Sequence, residues 1–543
     1  MADIFNSFRP RTGKVRAALL IACCGGALLV ALALGGRRYF QSNERSKILG
    51  DRLTASTERS PGNLENIEAR TTAFCGDCHR TPRADYFARA RWHNEVERGY
   101  RFFDASLRTD LSPPPLAEIV AYYRRNAPED LVIKRPNDDS PGHLRFRKLP
   151  VARDPGSPAS APAISFLKSI VTEAGEPPLL FACDMYSGEL LTIDMRTEGP
   201  IAKRLAQVGH PAHVEPCDLD ADGAIDLVVA DLGSFLPEDH DRGRVVWLRN
   251  TGRSEGSGRS AGYEQIVLLD GVGRIADVRP FDPDGDGDQD LVLAEFGWQT
   301  TGSIRLLIND AATPDDPRFS SRVIDRRHGA IHVPVWDWNG DARDDFCGLI
   351  SQEHETIELF SSVGDGTFQS ETVSPPEDPA FGSSGIELVD LDSDGDMDVL
   401  YTNGDTFDSY ELKPYHGIQW IENRGRDGWT THHLTTMPGV QRAVAGDLDG
   451  DGDNDIVAAA FLPERVLKDQ KHPASEFDSL IWLEQADPGQ FVRHSLERGH
   501  CQHVALELVD FDGDGRLDIA VGNFQAAGEP SPATLWLNLP TTE

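Results

Sequence analysis

Cys75-Gly76-Asp77-Cys78-His79 places two thiols and an imidazole within about one helical turn. Thiols at this spacing can add to the vinyl groups of a porphyrin while the neighbouring imidazole reaches its iron. The C-x-x-C-H pattern therefore reads as the attachment site of one covalent haem c, with Cys75 and Cys78 as thioether donors and His79 as axial ligand. The alternative, a C-x-x-C redox or zinc pair, has no second pair of metal-ligand spacing to complete it. The other recurrent chemistry is carboxylate. D-x-D-x-D-G-x-x-D, followed by apolar residues, occurs as Asp218-Asp220-Asp222-Asp226, Asp282-Asp284-Asp286-Asp290 and Asp337-Asn339-Asp341-Asp345. It returns as Asp390-Asp392-Asp394-Asp398, Asp447-Asp449-Asp451-Asp455 and Asp510-Asp512-Asp514-Asp518. Such loops offer hard oxygens at positions 1, 3, 5 and 9, with a backbone carbonyl available at position 7, and Gly at position 6 permits the sharp turn around a Ca²⁺ ion. The third copy is the weakest candidate, because Asn339 removes a charge and Ala342 replaces the turn glycine. About five or six Ca²⁺ ions are expected.

An EF-hand would need a bidentate Glu at position 12 and flanking helices. Position 12 is Val229 in the first copy and Leu293 in the second, and the flanks (LVVA 227–230, LVLA 291–294, IVAA 456–459, IAVG 519–522) are strand-like. The loops start 64, 55, 53, 57 and 63 residues apart, a period that signals a repeat architecture. Four strands fit in each period, as in a propeller blade. These loops, with Gly364-Asp365-Gly366-Thr367-Phe368, resemble the FG-GAP/VCBS repeats of integrin-type β-propellers over about 350 residues. A unit without acidic loops (179–185, 189–195, 202–208) precedes the first loop, which makes seven blades. Only two strands follow the last loop, so segments 144–150 and 163–171 are expected to supply its missing outer strands, with 152–162 as a flexible connection inside that blade.

Around the C-x-x-C-H motif, Leu64, Ile67, Thr71 and Phe74 fall at near-helical spacing. Pro115 can open a helix whose Leu116, Ile119, Val120 and Tyr123 share one face, ending near Ala127-Pro128. Two helices flanking a haem motif resemble the small monohaem cytochromes of the class I c type, a resemblance that implies His79 as proximal ligand. The distal methionine usual in that family has no counterpart between Met1 and Met185; His93 is the candidate distal ligand, and a surface histidine beside Trp92 is the alternative.

Residues 17–36 form a 20-residue stretch without a charge, long enough to span a bilayer. Flanking Lys and Arg are nearly balanced; haem c attachment, which takes place outside the bacterial cytoplasmic membrane, orients the chain. The expected order is a cytoplasmic N-terminus (1–16), a transmembrane signal anchor (17–36), a monohaem cytochrome c-like domain (50–135) and a β-propeller (140–543). The fold class is mainly β, with a small all-α domain ahead of the propeller and the bulk of the chain periplasmic or extracytoplasmic. A cleaved signal peptide and a lipobox at Leu20-Ile21-Ala22-Cys23 are the alternatives at the N-terminus. The formal net charge of −35 speaks against nucleic acid as a partner.

Five residues before each loop stand His213, Asp277, His332, Gly385, Arg442 and Ala505, on strands expected to line the central channel. His213 and His332, with His210, His328, His500 and His503 nearby, are a candidate copper or zinc site; the alternative is hydrogen-bonding histidines in a wet channel. The expected function is one-electron transfer through the haem, with the propeller docking a redox protein or cell-envelope ligand. Alternatives are an oxidoreductase whose substrate site lies in the propeller channel, and an adhesion module.

Overall fold

The computed structural model describes residues 61–134, 142–155, 161–172, 177–195, 199–252, 262–310, 318–364, 366–407, 409–469, 472–524 and 531–540. The expected cytoplasmic and membrane segments, 1–16 and 17–36, lie outside them. No helix among the described residues is long and apolar enough to cross a membrane.

The chain forms two compact units. The first contains described residues 61–74 and 87–130 and is helical: most of α1 (Pro61–Cys75), then α2 (Trp92–Ala105) and α3 (Leu116–Asn126). Pro115 caps α3 with an extended ψ of 127°, as a residue that cannot donate a backbone hydrogen bond can at a helix start. Ile119, Val120 and Tyr123 form its buried face. Trp92 stacks on Tyr123 at 3.9 Å, and Phe74 meets Tyr100 and Phe103 edge-on or tilted. Aromatic pairs of this kind supply much of the core energy a unit this small can assemble.

The second unit holds residues 75–86 and 131–543. Its sheets are the seven blades of a β-propeller. Blade 1 runs Ile164–Ile170, Leu179–Asp184, Glu189–Ile193 and Ile201–Gln207; blade 2 runs Pro211–Cys217, Asp226–Asp231, Gly243–Asn250 and Tyr263–Val272. Blade 3 covers Ile275–Phe281 to Phe319–Asp325, blade 4 Ala330–His332 to Thr367–Ser374, and blade 5 Ser383–Val389 to Trp429–Thr436. Blade 6 covers Val440–Gly446 to Gln490–Arg498. Blade 7 takes His503–Val509, Asp518–Asn523 and Ala533–Leu539 from the C-terminal end and Arg145–Pro150 from before blade 1.

The first strand of each blade is innermost and touches the first strands of its neighbours. The second strands of blades 2 to 7 are buried at every position, which is why LVVA or LVLA runs continuously apolar instead of alternating. The apolar clusters lie between blades: Val228, Ala230, Val245 and Trp247 of blade 2 pack on Ile275, Val278, Leu291 and Leu307 of blade 3.

The ring closes differently from the expectation in one respect. Arg145–Pro150 does pair with Ala533–Leu539 as the outer strand of blade 7. Segment 163–171, however, is the innermost strand of blade 1, because its Ile164 and Leu167 fill the apolar cluster joining blades 7 and 1. Of the expected connection inside blade 7, 152–162, residues 156–160 lie outside the described residues; Ala152–Arg153 adds a short parallel pairing to the edge of blade 1. A single N-terminal strand suffices to latch the ring.

Candidate functional site

The acidic loops connect the first and second strands of blades 2 to 7, so all six emerge at one end of the propeller. Their geometry repeats closely. The position-1 carboxylate accepts the backbone N–H groups of positions 5 and 6: Asp222 and Gly223 on Asp218 at 3.1 and 3.0 Å, Asp394 and Gly395 on Asp390 at 3.1 and 3.0 Å. Position 6 has positive φ throughout, from 64° at Ala342 to 102° at Gly452, so the third loop takes the same turn without its glycine. In that loop Asp341 and Ala342 donate to Asp337 at 3.1 and 2.9 Å. Donor atoms of Asp218, Asp220 and Asp226 lie within 4.8 Å of one another, as do those of Asp282, Asp284 and Asp286 and those of Asp390, Asp392 and Asp398.

Position 9 has a structural duty that the pattern alone did not reveal. Asp398 is fully buried at the start of its strand. It accepts Asn423 N–H at 2.7 Å and Leu391 N–H at 3.1 Å, tying the loop to the end of the third strand. Asp455 and Asp518 do the same with Gln485 and Leu448, and with Asn538 and Phe511. Burial, reinforced by the neighbouring loop carboxylates, pushes Asp226, Asp398 and Asp518 up to about 6, and Asp290 and Asp455 to about 7.

The C-x-x-C-H segment belongs to the propeller's compact unit and lies at the other end, among the turns between second and third strands and the connections between blades. Arg80 pairs with Glu377 at 3.0 Å and donates to Pro376 O. Arg83 N–H donates to Asp378 at 2.6 Å, and Tyr86 stacks on Tyr415 at 3.9 Å. A cavity of about 440 Å³ opens beside the motif, lined by Cys78, His79 and Arg80 on one side and by Arg327, Glu353, His354 and Pro376 on the other. That is within the roughly 300–1,000 Å³ of cofactor sites. His79 Nδ1 lies 2.8 Å from the Arg80 carbonyl oxygen. A carbonyl can only accept, so Nδ1 carries a proton; in the neutral ring Nε2 is then the nitrogen with the free lone pair, the tautomer a metal-bound imidazole needs. Cys75, Cys78 and His79 are the residues that could hold a haem here; Cys78 and His79 line the cavity. His93 is half-buried at the second position of α2.

At the channel, the structure brings His213 and His332 to either side of Asp277. His213 Nε2 lies 2.8 Å from Glu215 and 3.2 Å from Asp277; His332 Nδ1 lies 3.6 Å from Asp277. The cation bridging these carboxylates is the Arg279 guanidinium, bonded to both Asp277 and Glu215. Burial pushes His213 down to about 4, and Arg279 holds Asp277 well below the usual carboxylate range against its own burial. The other histidines disperse: His210 binds Met185 O, His503 binds Glu497, and His328 binds Glu353.

Sequence reasoning missed Glu353 and His354, which line the cavity beside the C-x-x-C-H motif. They sit in a turn of blade 4, between Asp345–Ile350 and Thr356–Gly364, flanked by positive φ at Gln352 (60°) and Glu355 (43°). The available signal was an acidic-histidine pair between two apolar strands.

Fold and loops define a seven-bladed β-propeller carrying an FG-GAP-like repeat, the family model that residues 337–401 match. Among particular proteins, cartilage acidic protein 1 of Mus musculus is 24% identical over 360 residues, covering 63% of this chain and 52% of that protein. The Homo sapiens protein of the same name is 24% identical over 383 residues, covering 66% and 54%. The chain thus spans about half the length of the curated relatives it matches. A solved chain described as the crystal structure of BBS1N in complex with ARL6DN, soaked with mercury, aligns at 11% identity and TM-score 0.44, over 74% of this chain and 99% of that one.

Proposed function

We propose that this protein is an extracytoplasmic c-type cytochrome anchored through residues 17–36, in which a calcium-stabilised propeller supports and docks a one-electron carrier. The observation that carries this reading is the His79 tautomer beside Cys78 on a cavity of about 440 Å³. Haem c bound there supplies reversible one-electron exchange. The protein's own residues do the rest. Cys75 and Cys78 would tether the group, His79 Nε2 would ligate its iron, and the Arg80 carbonyl fixes the imidazole. Glu377, Asp378 and Tyr415 hold the segment to the propeller. The six loops hold Ca²⁺, which neutralises clustered carboxylates and stiffens the turns. The acidic surface favours a basic redox partner.

The test is metal content and a denaturing haem assay on the purified chain. Iron near one per chain, retained covalently after denaturation and lost in Cys75→Ala/Cys78→Ala, supports the reading. Calcium near five or six accompanies it. Iron at zero in a chain matured with haem overturns it.

A further inference from the structure

The cavity wall opposite the C-x-x-C-H motif carries its own set of donors. His328 lies in the connection between blades 3 and 4, and Glu353 and His354 in the next turn of blade 4. His328 Nε2 is 2.8 Å from Glu353 Oε2, and the His328 and His354 rings meet edge-to-face at 5.4 Å. One donor atom from each of the three lies within 4.8 Å of the others. All three side chains are half-buried, and Glu353 and His354 line the cavity. Two imidazoles and one carboxylate are a borderline-soft set. Zinc takes it at roughly 2.0–2.2 Å with a fourth, exchangeable position open, and other imidazole-seeking metals compete. Calcium and magnesium prefer all-oxygen sites such as the six loops, which lie at the opposite end.

The surroundings hold these donors in place. Glu355, next in the chain, is buried and accepts Ser383 N–H at 2.9 Å, and its carbonyl accepts Glu377 N–H at 2.9 Å. The adjacent Arg327 is engaged by Asp325 at 2.7 Å and Glu358 at 2.9 Å, so its charge is compensated beside the site.

We propose that His328, Glu353 and His354 hold a divalent transition metal of the zinc class, with its open coordination position facing the cavity that His79 and Cys78 line. This goes beyond the electron-transfer reading and stands without it. With haem c attached, the cavity would present a second metal to any small ligand entering beside the porphyrin.

The experiment is a zinc titration of the full chain in excess calcium, which keeps the acidic loops filled, with bound zinc counted after gel filtration. The intact chain is expected to retain one more zinc than His354→Ala, Glu353→Gln or His328→Gln, each checked for an unchanged circular dichroism spectrum and calcium content. If His354→Ala does not fold, Glu353→Gln and His328→Gln give the same readout. Cys75→Ala/Cys78→Ala should keep the zinc while losing iron, so failure of the haem reading and failure of this one are separate results. Equal zinc in the intact chain and in the folded variants overturns the proposal. So does zinc lost with the two cysteines and kept without His354, since the thiols would then be the site. A changed iron spectrum in His354→Ala with unchanged zinc also overturns it, by making His354 a haem ligand.

Discussion

At the residue scale, the third acidic loop is an experiment the protein has already run. Ala342 adopts φ of 64° where its five counterparts are glycine. A Cβ at Gly395 or Gly515 would meet nothing within 4 Å, so only the backbone conformation opposes a side chain there. Ala342→Gly should therefore stabilise the calcium-loaded protein by about 1 kcal/mol, and Gly395→Ala should cost about the same. Equal and opposite shifts in urea midpoint are the expected result. Asp398 tests a different point. Removing its carboxylate orphans Asn423 N–H and Leu391 N–H, at about 1–3 kcal/mol each. Asp398→Ala should thus destabilise even in chelator, whereas a residue that served only as a metal ligand would lose its effect there.

At the element scale, the strand Arg145–Pro150 latches blade 7, and a charge cluster secures it. Glu497 of blade 6 receives Lys148 of that strand at 2.8 Å and His503 of blade 7 at 2.9 Å. Its carboxyl is held down to about 2; burial opposes the shift, and the His503 and Lys148 contacts outweigh it. A carboxylate with a depressed folded pKa stabilises above its unfolded value of roughly 4.3 and loses that contribution as pH falls toward 2. Lys148 is 47% exposed, which screens its share, so the contribution is about 1–2 kcal/mol. Glu497→Gln should lower stability by that amount at pH 7, and the gap from the unsubstituted protein should close as the pH drops through that window. A gap that stays constant to pH 3 would exclude the linkage. The latch was readable from sequence in part. Counting strands showed the ring short at its end and offered 144–150 and 163–171 as donors; only 144–150 joins blade 7. The place of 163–171 was not readable, because an amphipathic strand fits the inner edge of one blade or the outer edge of another until its apolar face meets a particular neighbour.

For the whole molecule, stability depends on the loops in opposite senses with and without metal. In chelator the position-9 aspartates have raised pKa values, about 6 for Asp226, Asp398 and Asp518 and about 7 for Asp290 and Asp455. A raised carboxyl contributes stability below its unfolded value, lost as pH rises through the folded one. The calcium-free propeller should therefore be more stable at pH 5 than at pH 7.5. Calcium should raise the unfolding midpoint at pH 7.5 and remove that difference, since a ligand that binds only the folded state stabilises by mass action. An unfolding midpoint at pH 7.5 indifferent to calcium would exclude a structural role for the ion.

The sequence by itself determined the repeat, the number of blades, the six loop positions and the helix after Pro115. Each of these is local: a turn that needs glycine or aspartate, a buried strand that needs an unbroken apolar run, a helix start that tolerates proline. Only the tertiary structure decided which contacts distant segments make. Closing the ring turned His213, Asp277 and His332 into neighbours and put Arg279 among them, so the histidines that looked alike by register face a guanidinium. It also set Glu353 and His354 beside His328 and opposite His79, residues up to 275 positions apart in the chain. Spacing along a chain reports local geometry; the meeting of side chains across blades follows from how the ring closes.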